Sequence, residues 1–113
     1  MLKQGDIVLI PIPFTDLTSS KKRPVLILSS DEYNKKTDDV IVAAITSNLE
    51  NNAHAINIKN DDLADGNLLR DSCVRADKLY TLSKSIIIKR FGAVKNEILL
   101  AVTGEVLKII KNE

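Results

Sequence analysis

The chain is poor in several residue types on which whole classes of chemistry depend. It has one cysteine, Cys73, and one histidine, His54, in 113 residues. A lone cysteine forms no internal disulfide, and two such ligands far apart in sequence do not build the nitrogen and sulfur cage that zinc requires. Tryptophan is absent and aromatic residues make up 4%, too few for a platform on which successive bases stack. Neither sign of charge dominates: 16 lysines and arginines face 15 aspartates and glutamates. A polyanionic partner would therefore have to be held by a local cluster rather than by the field of the whole protein. No apolar run reaches transmembrane length or suits export, which gives the expectation of a reduced, cytoplasmic protein with no membrane partner. The P-loop, the GxGxxG turn and the serine nucleophile elbow are missing as well.

What is present suffices for one core. At 44% hydrophobic content, 113 residues fit a single domain spanning 1–113. Such a domain buries about two-thirds of the surface that its unfolded chain exposes, so pairing with a second copy would add useful burial. "GDIVLIPIPF", Gly5 to Phe14, reads as a strand that leaves its sheet near Pro11, because proline gives the ladder no N–H. "TDLTSSKKR" is a polar loop, and Pro24 with Val25 to Leu28 opens a second strand. "DEYNKKTDD" and "DDLADGN" are turns by composition. Between them, "VIVAAITS" is a third strand suited to burial on both sides, and "HAINIKN" is a half-buried fourth with Ile56 and Ile58 on one face. In "SCVRADKLYTL", Val74 and Ala76 point one way, Arg75 and Asp77 the other. "SIIIKRFG" gives a last strand ending at Gly92. From Asn96, Ile98, Val102, Val106, Ile109 and Ile110 recur at helical spacing, with Gly104 as a weak point. Short strands with a terminal helix predict a mainly β fold: a small twisted β-barrel or half-barrel with a packed helix.

Four groups of residues could carry chemistry. Lys21, Lys22 and Arg23 form the densest cationic cluster, and such clusters commonly serve as gatekeepers beside an aggregation-prone strand. Arg23 differs from its neighbours because Pro24 restricts it to extended geometry and the strand after it fixes its backbone. A guanidinium held in this way presents its planar fork to phosphate at low entropic cost. Arg75 and Asp77 read either as a surface ion pair worth ~0–1 kcal/mol or as an arginine oriented by a carboxylate, which could also accept a proton, beside a phosphodiester. Thr46 and Ser47 at a strand end are turn formers that can also donate into a cleft. His54 shares a face with Ile56 and Ile58 and reads as a structural or rim histidine, Cys73 as packing, and Asp61, Asp62 and Asp65 as a solvated turn rather than a metal site.

The order of segments is more specific than any one of them. "GDIVLIPIPFTD", "KKRPVLILSSDEYN", "VIVAAITS", "LLRDSCVRADKLYTL" and "FGAV" before the last helix follow one another along the chain. In this the chain resembles the MazF/PemK family of toxin endoribonucleases, from near residue 4 to near residue 110. The resemblance implies an SH3-like barrel of the PemK/CcdB type with a C-terminal helix, a symmetric homodimer, and metal-independent cleavage of single-stranded RNA without a cofactor. In that family the 2′-hydroxyl attacks the adjacent phosphorus to give a 2′,3′-cyclic phosphate and a free 5′-hydroxyl. The implied partner is an acidic antitoxin whose disordered tail folds over the RNA site.

Carried over residue by residue, the arginine of the RP pair is Arg23 and the threonine after the third strand is Thr46, both implied to be catalytic. Arg75 and Asp77 match an arginine and an aspartate with acid and base roles in the PemK branch, and Ser72 matches a serine near the RNA. Lys21, Lys22 and Ser47 are expected to contact the RNA beside them. The loop "TDLTSSKK" holds no histidine where some members have a catalytic one, which leaves the general base unassigned. Two rivals use the same fold: a CcdB-like toxin that binds a topoisomerase and cleaves nothing, and an inactive SH3-like binding module.

Overall fold

The computed structural model describes residues 2–11, 21–50 and 53–112. Seven strands alternate with short helical turns: β1 Asp6–Pro11, β2 Lys22–Ile27, β3 Asp39–Thr46, β4 Ala55–Ile58, β5 Leu63–Gly66, β6 Ser72–Ser83 and β7 Lys89–Val94. Helix α1, Asp31–Lys36, lies between β2 and β3, and helix α2, Asn96–Ile110, ends the described fold. All strand pairs are antiparallel, in the order β4-β6-β3-β2-β1-β7-β5. The mainly β half-barrel with a C-terminal helix that the sequence predicts is the observed architecture. No helix among the described residues is long and apolar enough to cross a membrane.

Strand alternation sorts the apolar residues into two clusters, one on each face of the curled sheet. Ile7, Leu26, Ala43, Ile45 and Val74 fill the inner face, which α2 closes through Val102. Val8, Ile10, Val25, Ile27 and Val42 form the outer cluster, covered by Leu2, Ile86 and Ile87. Both faces are therefore buried over most of β1 and β3 and over β2 from Val25 on, as their near-continuous apolar runs require. The outer cluster ends where β2 turns polar, at Arg23.

Several local expectations differ from the structure. "DEYNKKTDD" contains α1, not only a turn: the Ser30 hydroxyl caps it by accepting the Tyr33 N–H at 3.1 Å, and Lys36 pairs with Glu32 one turn earlier at 2.8 Å. The expected loop around Asp61, Asp62 and Asp65 is a 3-10 turn, Asn60–Asp62, followed by β5, which pairs with β7. Gly66 of β5 has φ +86, and a β-carbon there would overlap the Phe91 carbonyl; glycine is what lets the two backbones meet. "SIIIKRFG" splits into a 3-10 turn, Lys84–Ile86, and β7, which runs two residues past Gly92. Ile109 and Ile110, expected on the buried face of α2, are exposed; Ile110 lines an open apolar groove with Leu28, Ile41 and Leu79. β2 begins at Lys22 rather than Pro24, so Lys22 and Arg23 belong to the strand. The end of the first predicted strand and most of the loop after it, 12–20, lie outside the described residues.

Candidate functional site

Pro24 sets where the sheet opens. The Leu28 N–H donates to the Ile41 carbonyl at 2.9 Å, and alternation by two points the nitrogens of residues 26 and 24 at β3 as well. Proline at 24 has no hydrogen to give, and the β2–β3 ladder carries no pair beyond Val25–Ala44. On the other side β2 remains paired with β1 through Ile10–Arg23 and Pro11–Lys22. Arg23 is thus held on a strand at the mouth of a fork, exposed, with no ion pair or hydrogen bond to its side chain among the described residues. Across the fork, Thr46 ends β3, and its Oγ1 accepts the Asn48 N–H at 3.1 Å. The hydroxyl proton remains to be donated.

Arg75 arrives from β6 through an irregularity. Ala43 pairs with Leu79 but the next residue, Ala44, pairs with Arg75, so Ala76, Asp77 and Lys78 have no counterpart on β3. The Ala76 N–H donates instead to the His54 carbonyl at 3.0 Å. This bulge divides β6: Cys73 to Arg75 pair with β3 on one side and β4 on the other, while Leu79 to Ser83 pair with β3. The expected alternation holds beside it, with Val74 and Ala76 buried and Arg75 and Asp77 on the outside.

The result is two grooves separated by a ridge. The first, about 560 Å³, is lined by Arg23, Thr46 and Arg75 together with Ile10, Val25, Asn48, Glu50, Lys78 and Tyr80. The second, about 320 Å³, is lined by Lys22, Ser47 and Ser72 with Arg70, Leu68 and Phe91. Arg23, Pro24, Ile45 and Thr46 line both and form the ridge. Two candidates stand apart: Lys21 is exposed and lines neither groove, and Asp77 lies behind Arg75.

Asp77 holds Arg75 through both oxygens, Nε to Oδ1 at 3.2 Å and Nη2 to Oδ2 at 2.9 Å. The hydrogen bonds from Arg75 hold the Asp77 carboxyl below the usual carboxylate range, and the same contact raises the guanidinium. The side chains are 30% and 28% exposed, so the pair adds little to stability but fixes the plane of the arginine fork. Ser72 is buried and its hydroxyl donates to the Arg70 carbonyl at 3.0 Å. Cys73 is buried, and desolvation pushes its thiol up despite nearby Arg75. His54 Nδ1 sits 3.0 Å from Glu105 Oε2 on α2 and lines neither groove, which fits a structural or rim histidine. The acidic residues once grouped by sequence are used separately. Asp62 accepts the Lys59 N–H at 2.9 Å, while Asp65 takes Arg90 at 2.9 and 3.0 Å. No cluster of three or more potential metal-ligating side chains occurs among the described residues.

Residues 3–110 match the sequence profile described as PemK-like, MazF-like toxin of type II toxin-antitoxin system. The chain belongs to this family. No curated protein matches it in sequence, whereas solved structures do match in fold. The MazE–MazF complex from Deinococcus radiodurans, Form-III, superposes with a TM-score of 0.77 at 21% identity, over 96% of this chain and 95% of that one. The Mycobacterium tuberculosis toxin MazF-mt6 gives 0.73 at 21% identity, over 91% and 93%. An endoribonuclease in complex with its cognate antitoxin from a mycobacterial species gives 0.73 at 18% identity, over 95% and 90%. At these identities the likeness establishes the fold.

In this MazF/PemK-family chain the grooves also contain residues that sequence reasoning did not single out. Asn48, Glu50, Lys78, Tyr80 and Arg70 each line one of them. Arg70 was visible as the cation two positions before Ser72. Glu50, Lys78 and Tyr80 carried no comparable signal, because they converge only through the bulge in β6 and the turn after β3.

Proposed function

We propose that this chain, as a single 1–113 toxin unit, is a sequence-selective, metal-independent endoribonuclease that acts on single-stranded RNA in the cytoplasm as the toxin of a type II toxin–antitoxin pair. The observation that carries the reading is the shared groove of Arg23, Thr46 and Arg75. Residues 23, 46 and 75 are distant in sequence, and each offers a donor suited to a phosphodiester. Attack by a 2′-hydroxyl on the adjacent phosphorus forms the O2′–P bond and builds negative charge on the nonbridging oxygens. The P–O5′ bond then breaks, and the proton lost by the 2′-hydroxyl is balanced by one gained at the departing 5′-oxygen, leaving a 2′,3′-cyclic phosphate and a 5′-hydroxyl. Arg23 and Arg75 supply fixed positive charge where that charge grows, and Thr46 donates its hydroxyl proton to a phosphate oxygen.

Asp77 serves as the brace of Arg75. Both its oxygens are engaged by that guanidinium, and a carboxylate with a lowered pKa is a weak base. Lys22, Ser47 and Ser72 line the second groove, where the strand continues beyond the ridge, and Lys21 gathers the RNA backbone at its rim. An acidic antitoxin segment would compete for the same cations, and a homodimer would double the site.

The test is incubation of the purified protein with a long single-stranded RNA in EDTA. Discrete fragments ending in cyclic phosphate are expected, and Arg23→Ala should lower the rate by about a hundredfold to a thousandfold, the usual cost of one transition-state donor. Because Arg23 is exposed and unpaired among the described residues, the variant should unfold like wild type. Cleavage by Arg23→Ala at near wild-type rate would refute the assignment. Intact RNA together with a topoisomerase-dependent effect would support the CcdB-like rival instead.

A further inference from the structure

Glu50 is out of place in a groove built for a polyanion. It lines the first groove together with Arg23, Arg75 and Lys78, yet its carboxylate makes no ion pair or hydrogen bond among the described residues. Its backbone, by contrast, is tied to the phosphate-binding end of β3. The Asn48 N–H donates to Thr46 Oγ1 at 3.1 Å, and the Glu50 N–H donates to Asn48 Oδ1 at 3.1 Å. Two consecutive side-chain turns thus fix the Glu50 backbone relative to Thr46, from where its side chain reaches into the first groove.

A carboxylate repels phosphate and accepts hydrogen bonds only. Beside a bound RNA strand it is therefore tolerated where it meets a base edge rich in N–H donors. Among the four RNA bases, guanine alone presents two adjacent donors, N1–H and the N2 amino group, that match both oxygens of a carboxylate. Cytosine and adenine present one amino group beside an acceptor nitrogen, and uracil presents one imide N–H between two carbonyls, which a carboxylate disfavours.

We propose that Glu50 is a specificity-determining residue that selects guanine next to the phosphate held at Thr46. The inference rests on the endoribonuclease reading above for its place in the reaction, but the subsite is defined by binding. A transcript rich in sequence variety is cut by wild type and by Glu50→Gln, and the fragment ends are sequenced. In parallel, a randomised single-stranded DNA heptamer, which lacks the attacking 2′-hydroxyl, is captured by each protein and its retained base content read.

Wild type should cut beside guanine and enrich guanine in the captured pool. Replacing that guanine by inosine, which lacks the N2 amino group, should reduce wild-type cleavage about tenfold and leave Glu50→Gln insensitive to the change. Equal base content retained by both proteins, or wild-type cutting that ignores guanine, overturns the proposal. Guanine enrichment by wild type that Glu50→Gln loses, without any RNA cleavage, sustains the subsite and overturns the endoribonuclease reading instead.

Discussion

The brace between Asp77 and Arg75 separates an orienting carboxylate from a reacting one. Asp77→Asn keeps a carbonyl oxygen for one Arg75 contact but turns an amino group toward the other and removes the charge. Deleting a transition-state donor outright costs ~2.7–4 kcal/mol, so Arg75→Ala should slow cleavage about a hundredfold to a thousandfold. Loosening the same arginine costs only part of its side-chain entropy, about 1–1.5 kcal/mol, or about fivefold to tenfold in kcat/KM. Stability should hardly move, since a pair with side chains about a third exposed contributes ~0–1 kcal/mol.

The decisive measurement is the double mutant. If Asp77 acts only through Arg75, adding Asp77→Asn to Arg75→Ala should cost less than about twofold further. The pH profile gives an independent check. Because Arg75 lowers the folded-state pKa of Asp77, its contribution is present above the ordinary carboxylate pKa and is lost only as pH falls through the depressed value. No Asp77 limb is therefore expected between about pH 5 and pH 8, and Asp77→Asn should lower the profile without reshaping it. An independent loss in the Arg75→Ala background, or the disappearance of a limb in that range, would refute the bracing role.

Two substitutions test the scaffold in opposite directions. Gly66→Ala places a β-carbon against the Phe91 carbonyl at φ +86 and should cost at least ~1–3 kcal/mol in a denaturant melt; an unchanged midpoint would mean that β5 and β7 do not meet as described. Gly104→Ala, in contrast, adds a methyl where nothing lies within 4 Å and should stabilise α2 by about 0.5–1 kcal/mol. A destabilised Gly104→Ala protein would indicate that a second chain occupies that space.

Much of this arrangement could be read from residue order. The period-two pattern around Val74 and Ala76 put Arg75 and Asp77 on one outer face, and the apolar stripe from Ile98 to Val106 marked the terminal helix. α1 escaped because Asp31–Lys36 has no apolar stripe and is held by its cap and by charge pairing. β5 escaped because Asp65 and Gly66 are turn formers by type, and only the paired glycines at 66 and 92 make a strand of them. The groove was half legible: Arg23 and Thr46 bracket proline-broken pairing, a local signal, whereas Glu50, Lys78 and Tyr80 depend on a bulge whose extra residues no periodicity foretells.

The absent hydrogen on Pro24 bears on how the two grooves join. A residue with an N–H at that position could complete a hydrogen-bonded rung with Ile45, a pair whose facing α-carbons sit about 5.5 Å apart. The saddle between the two troughs, which Arg23, Pro24, Ile45 and Thr46 form, would then be tied by one more bond. In the proposed endoribonuclease, the play that this saddle offers a phosphate comes from a bond the backbone is unable to form, and so is written into the covalent chain rather than left to side-chain packing.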